Sequence, residues 1–293
     1  MSHQKSYTFE QRSHTFLLLI RTFARLMRMR SKPSYVVLFL VLVLIVPSSV
    51  SLAQSTDKRE AALDTRPSAI LVELFTSEGC SSCPPADALL RAVDGKRTQS
   101  GLLIVGVSEH VTYWNHLGWS DRYSAPVYTD RQSAYAQKFH LDSPYTPQMV
   151  INGKEQFVGN DKSSLLRALN NAQAESTVSI RIASVKIDSN SFDLDFSLTG
   201  SIPPHGVDVY AILAEDSASS DVLRGENAGH MLVHTSVARN LTHIGKLKSP
   251  VEKTVHIPVS PATLQPPNQG HHLIVFAQTS AYGPIVAIDT KAF

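Results

Sequence analysis

The spacing of hydrophobic residues changes at about residue 177, and the two sides of that change predict different elements. Ala69 to Phe75 is apolar apart from Glu73, which suits a strand buried on both faces of a sheet. Pro84 to Val93 opens on proline and places Ala88, Leu89, Leu90, Ala92 and Val93 to form a short helix. Leu102 to Val107 repeats the buried-strand pattern, and Thr129 to Phe139 predicts a polar helix with Ala134, Tyr135 and Phe139 on one side. Gln148 to Ile151 and Glu155 to Val158 predict short strands joined at Asn152-Gly153, a pair suited to the positive φ angles of a tight turn. Asp161 and Ser163 stand where they can cap a last helix, Ser164 to Gln173.

Beyond Thr177 the period is two. Val178, Ile180 and Ile182 alternate with polar residues, as do Phe192, Leu194, Phe196 and Leu198. Further strands are predicted at Val207 to Leu213, Thr254 to Val259, His272 to Gln278 and Ile285 to Asp289, between segments rich in Pro, Gly and Ser. The expected architecture is an α/β domain over residues 69–174, a central mixed sheet flanked by helices, followed by an all-β sandwich-like domain over residues 177–293.

The first residues follow neither pattern. Residues 1–32 hold seven basic residues against one acid, Glu10, and Tyr35 to Val46 is an uncharged apolar run of 12 residues. A membrane span needs roughly 20 apolar residues, whereas a run of this length fits the core of a signal peptide. Ser51-Leu52-Ala53 puts small residues at the two positions a signal peptidase inspects, so residues 1–53 are expected to be cleaved as a leader, with an uncleaved anchor as the alternative. A start at Met27 or Met29 would leave a compact leader. The protein is then expected to be secreted or periplasmic, with residues 54–68 as a flexible lead-in. Without residues 1–53 the chain has 20 basic and 24 acidic residues, a net charge of about −4. The whole-chain pI near 8.5 belongs to the leader, and no basic stripe remains to suggest nucleic-acid binding.

Candidate chemistry centres on the two cysteines, which occur together as Cys80-Ser81-Ser82-Cys83. A bridge closing four residues stabilises by only about 2 kcal/mol in the chain-entropy model, so a staple would be better placed across distant segments. The pair lies between a buried strand and a helix, where backbone N–H groups and the helix dipole stabilise a thiolate. Cys80 is expected to be the exposed nucleophile and Cys83 the resolving thiol. A structural bridge remains one alternative. Another is a metal site of Cys80, Cys83 and His110, since Cys and His ligands suit Zn or Cu(I).

The stretch from Ala69 to about Gln173 resembles a thioredoxin-fold domain. The resemblance rests on the order of elements, on Cys80 and Cys83 after the first strand, and on Thr146-Pro147 opening the third. It implies that Pro147 is cis and faces the cysteines, and that the backbone beside it, at Thr146, binds an extended substrate segment. It also implies that Glu73 relays protons to the resolving cysteine. Two departures stand out. Gly79 replaces the usual Trp before the first cysteine, and Ser81-Ser82 replaces Gly-Pro. The segment Ser108 to Pro126 carries both tryptophans, Trp114 and Trp119, either as an aromatic lip that selects substrates or as packed caps.

The strings Glu78 to Asp87, Tyr113 to Asp121, Tyr145 to Gly153 and Arg224 to Gly229 are similar to a family of secreted bacterial proteins with a thioredoxin-like domain, domain of unknown function 1223. That similarity implies a fold and a location but no substrate. The cysteine pair and the thioredoxin resemblance imply thiol-disulfide exchange with exported proteins that carry thiols or disulfides, with no organic cofactor, no nucleic acid and no membrane contact beyond the leader. A copper-handling role, and a binding module with a structural disulfide, are the other classes it leaves open. Arg224, Glu226, Asn227, His230, His234, Arg239 and His243 fall between predicted strands, either as a solvated Gly-rich turn or as lining of the junction with the first domain.

Overall fold

The first described element is a strand, β1 (Ala69–Thr76), whose alternate residues serve two different cores. The computed structural model describes residues 68–173, 177–264 and 270–293. The expected leader, its alternative starts and the lead-in up to residue 67 lie outside the described residues.

Elements follow as α1 (Pro84–Val93), β2 (Leu103–His110), α2 (Pro126–Lys138), β3 (Gln148–Ile151), β4 (Glu155–Val158) and α3 (Lys162–Asn171). Then come β5 (Val178–Ile187), β6 (Ser191–Gly200), β7 (Val207–Val222), β8 (His230–Leu247), β9 (Val251–Pro258), β10 (His271–Thr279) and β11 (Ile285–Ala292). The β3–β4 turn takes positive φ at Asn152 (50°) and Gly153 (63°). Asp161 caps α3 by accepting the N–H groups of Ser163 and Ser164.

The expected architecture, a helix-flanked thioredoxin-like domain followed by a separate all-β domain, is overturned. Strands make up 48% of the described residues and three α-helices 16%. Eight strands from both halves form one mixed sheet in the order β11-β10-β7-β8-β2-β1-β3-β4, and β5-β6-β9 form a second. The physical reason is the edge of β2. An exposed strand edge leaves N–H and C=O groups unpaired, and here β8 lies along it. The backbone seam is short, one parallel pair at Ser108↔Val237. Side chains extend it: Ser108 Oγ donates to Thr235 O at 3.0 Å and Ser236 Oγ to Gly106 O at 2.6 Å.

β8 also shows why pattern reading missed it. Its inward positions include His234 and Ser236 beside Leu232 and Ala238, while Met231 and Val233 point out and are exposed. Polar residues inside and apolar residues outside erase the period of two.

The faces of the sheet divide cleanly. Ile70, Val72 and Leu74 of β1 pack with Ala86 and Leu90 of α1 and Leu165 of α3. Leu71 faces the opposite way, toward Tyr128 of α2 and toward Ile212 and Phe276 from the distal strands. Helix α2 thus lies over strands of both halves, burying large side chains that stabilise by roughly 1.5–3 kcal/mol each. Gly106 lets α1 sit close to β2, because a Cβ there would stand 2.9 Å from Leu90 Cδ1. The second sheet covers the distal strands, with Ile180, Phe192, Leu194 and Phe196 against Val209, Leu213 and Val275.

Candidate functional site

Cys80 and Cys83 are joined by a disulfide at the start of α1, with Cys83 as the N-cap residue and prolines in the first turn. The turn is closed by backbone hydrogen bonds from Cys80 N to Ser77 O and from Cys83 N to Cys80 O, both 3.1 Å. Ser81 and Ser82 are exposed, but both cysteines are 0% exposed. The expectation of an exposed Cys80 is therefore corrected: both cysteines are buried, Cys80 Sγ lies 3.3 Å from Ser82 Oγ, and a second segment hydrogen-bonds to the turn.

That segment is the tip of the β7–β8 hairpin. The Glu226 carboxylate accepts hydrogen bonds from Ser81 N (3.0 Å) and Ser81 Oγ (2.7 Å). Buried Asn227 donates its amide to Glu78 O (2.8 Å) and Cys80 O (3.0 Å). The 224–243 group divides between the alternatives: Glu226, Asn227 and His234 line the junction with the cysteine segment, while Arg224, His230 and His243 are exposed.

Below the turn lies a buried polar cluster. The Asp87 carboxylate of α1 accepts from Thr76 Oγ1 at 3.2 Å and contacts His234 Nδ1 at 3.1 Å. On its other side His234 Nε2 stands 3.6 Å from Glu78 Oε1. Burial alone would lower the His234 pKa, but the hydrogen bond to Asp87 and the charges of Asp87 and Glu78 outweigh it and push the value up to about 9. Glu78 moves in the complementary direction: burial raises it, the nearby His234 and the Trp119 hydrogen bond prevail, and its pKa is lowered. Asp121 accepts from His110 Nδ1 (2.7 Å) and Glu78 N (2.8 Å). His110, Tyr123 and His234 meet edge to face, with His110 and His234 ring centroids 4.7 Å apart. His234 thus ties α1, through Asp87, to the loop before Cys80, through Glu78.

Both tryptophans act as half-buried caps rather than a free lip. Trp114 Nε1 donates to Thr146 Oγ1 at 2.8 Å, and its Cβ lies against Gly79. Trp119 Nε1 donates to Glu78 Oε2 at 2.7 Å. Pro147 follows a cis peptide bond and is buried. A Cβ on Gly159 would meet Pro147, Leu74 and Ala86 together, which places Pro147 near the first turn of α1.

The relay role expected of Glu73 is corrected. Its side chain points to the α2 face, away from α1, where Arg131 Nε donates to it at 2.5 Å and Tyr135 OH at 2.7 Å. Arg131 also reaches Gln278 and lies over the rings of Tyr135, Tyr210, Phe276 and Tyr282. Glu109 completes the group, 3.7 Å from Arg131 Nε, with both carboxylate oxygens lacking a hydrogen-bond partner. Burial and the neighbouring Glu73 hold the Glu109 pKa well above the carboxylate range. This cluster binds the two halves through β1, β2, α2 and β10.

The metal alternative does not assemble. The cysteines are bonded to each other, His110 Nδ1 is held by Asp121, and among the described residues no three His, Cys, Asp or Glu side chains are set to hold a metal ion. Ser236, His272 and Asp216 form a chain with the bonding order of a hydrolytic triad, at 3.1 and 2.5 Å. Its exposure is inverted. The serine is fully buried and donates to Gly106 O, while Asp216 is 49% exposed, so the chain belongs to the seam and offers no nucleophile. Sequence reading missed Glu78, Asp87, Asp121 and the carboxylate–histidine pairs. The signal available was acids flanking the cysteines, without any sign of which histidines would reach them.

A buried cystine at a helix N-terminus, clasped by a hairpin of the same mixed sheet, defines a β-rich protein with a covered cystine turn. The chain belongs to a family described as protein of unknown function (DUF1223), whose model matches residues 71–278. A crystal structure of a protein from Agrobacterium tumefaciens is similar, with a TM-score of 0.56 and 25% identity over 78% of this chain and 95% of that one. A β-glucosidase from Kluyveromyces marxianus aligns at 11% identity over 40% of this chain and 14% of that one, with a TM-score of 0.21. No curated protein matches.

Proposed function

We propose that the protein is an exported thiol-disulfide exchange protein that acts on other exported proteins through Cys80 and Cys83. The observation that carries the reading is the placement of the cystine. It closes a four-residue turn at a helix N-terminus, where it adds little to stability and where N–H groups and the helix dipole favour a thiolate.

In the oxidising direction a partner thiolate attacks Cys80 Sγ, the S–S bond breaks, and its electron pair leaves on Cys83 as a thiolate. The partner's second thiol loses its proton and attacks its own sulfur in the mixed disulfide. Cys80 is expelled as a thiolate and both thiolates take up protons. One partner dithiol becomes a disulfide while the Cys80–Cys83 disulfide becomes a dithiol, and the reverse sequence reduces a partner. The leader read over residues 1–53 supports a secreted or periplasmic setting, where such partners occur.

The second reading is a binding module with a structural bridge, and the full burial of both sulfurs favours it. Among the described residues no helix is long and apolar enough to cross a membrane. A Cys83→Ala variant separates the two readings. Exchange leaves Cys80 trapped in mixed disulfides with proteins of the exported fraction, detectable by non-reducing electrophoresis and lost in a Cys80→Ala, Cys83→Ala variant. Absence of such adducts sinks the exchange reading.

A further inference from the structure

A cystine that exchanges with protein partners has to be reached by a thiolate, yet both sulfurs are fully buried. Among the described residues, the only side chains from outside residues 76–87 that hydrogen-bond to the Cys80–Ser82 turn are Glu226 and Asn227. Both sit at the tip of the β7–β8 hairpin, on the stretch from Leu223 to Gly229 between two long strands. The tip is bounded by glycines at positive φ, Gly225 at 77° and Gly229 at 80°, where the backbone turns without the penalty a Cβ would bring. It also presses on the tryptophan segment, because a Cβ on Gly225 would stand 3.2 Å from Trp119 Cβ.

We infer that the tip of the β7–β8 hairpin is an autoinhibitory latch over the cystine, held shut by Glu226 on Ser81 and by Asn227 on the carbonyls of Glu78 and Cys80. This rests on the exchange reading, because a latch has regulatory meaning only for a pair that reacts. The latch is built from few contacts. Glu226 is an exposed side chain held by one serine, and Asn227 holds two backbone carbonyls through a single amide. Such a segment opens locally far more often than the sheet beneath it unfolds. Opening would release the backbone of the Cys80–Ser82 turn while α1 stays packed on β1 and β2 through Ala86 and Leu90. Partner proteins would therefore meet the reactive sulfur only in the open state, and the closed state would spare the cystine from indiscriminate thiols.

The test is the rate at which dithiothreitol reduces the Cys80–Cys83 bond in the folded, full-length protein. In that reaction one dithiothreitol thiolate attacks a sulfur, the other cysteine leaves as a thiolate, and dithiothreitol closes to its cyclic disulfide. Progress is read by alkylation and mass. The wild-type cystine is expected to react slowly. Asn227→Ala should speed reduction by about tenfold or more, because each lost hydrogen bond raises the open population. Glu226→Ala should also speed it, with an unchanged thermal midpoint, since that side chain is exposed and bears on no core residue.

Equal rates in wild type and Glu226→Ala overturn the latch, and this variant decides the matter if Asn227→Ala does not fold. Failure of the two proposals is distinguishable. Faster reduction without any trapped partner keeps the latch and removes the exchange function. Trapped partners with rates unaffected by Glu226→Ala keep the function and remove the latch.

Discussion

His234→Gln is the perturbation that most sharply tests the polar cluster under the cystine. In the folded chain the imidazolium sits between Asp87 and Glu78, with the His110–Asp121 pair and Tyr123 beside it, and its pKa stands at about 9 against 6.5 for the free side chain. The folded pKa is the higher one, so the stability this group contributes is complete below about pH 6.5 and is lost as pH rises through about 9. A shift of that size corresponds to about 3 kcal/mol. At pH 6 the variant also leaves two buried carboxylates without their cation, a loss of roughly 3–5 kcal/mol. As pH rises toward 9.5 the wild type loses its own proton, and the gap should narrow by about 3 kcal/mol. Urea unfolding followed by circular dichroism under non-reducing conditions, from pH 6 to 9.5, reads both numbers. A stability gap that stays constant across that window would refute the reasoning, because it would mean His234 gains no proton on folding.

The α2-face cluster yields two further expectations. Arg131→Met should destabilise by roughly 3–5 kcal/mol, since it strands Glu73 as a buried charge among aromatic rings, and a thermal midpoint near that of the wild type would contradict the assignment. Glu109→Gln should do the opposite at neutral pH, stabilising by on the order of 1–3 kcal/mol, because it removes a carboxyl whose ionisation burial and the neighbouring Glu73 oppose in the folded chain. The Glu109 pKa is raised on folding, so the wild type recovers that stability as pH falls from the raised folded value to the unfolded carboxylate range, and the advantage of the variant should be gone near pH 4.

Elements specified by neighbouring residues were legible in the sequence. The prolines and apolar spacing of residues 84–93 predict α1 with its ends, and Asn152-Gly153 predicts the β3–β4 turn. What local pattern does not carry is which strand covers which edge. The seam between β2 and β8 joins residues more than a hundred positions apart and depends on the side chains of Ser108 and Ser236, neither of which reads as sheet-forming. The same holds at the site. The cysteine pair and the oddity of Glu73 were visible, but the partner of Glu73 is an arginine on a helix that read as merely polar. The hydrogen bonds on the cysteine turn were not visible because the segment that makes them follows Cys83 by about 140 residues.

The central claim is that Cys80 and Cys83 exchange disulfides with partners. Its most direct measurement is the reduction potential of the pair, obtained by equilibrating the folded protein in dithiothreitol buffers of defined ratio and quantifying the two states by alkylation and mass. A pair that exchanges is predicted to have a potential above about −300 mV, within reach of thiol partners. A potential well below about −300 mV would mark the bridge as structural and contradict the account.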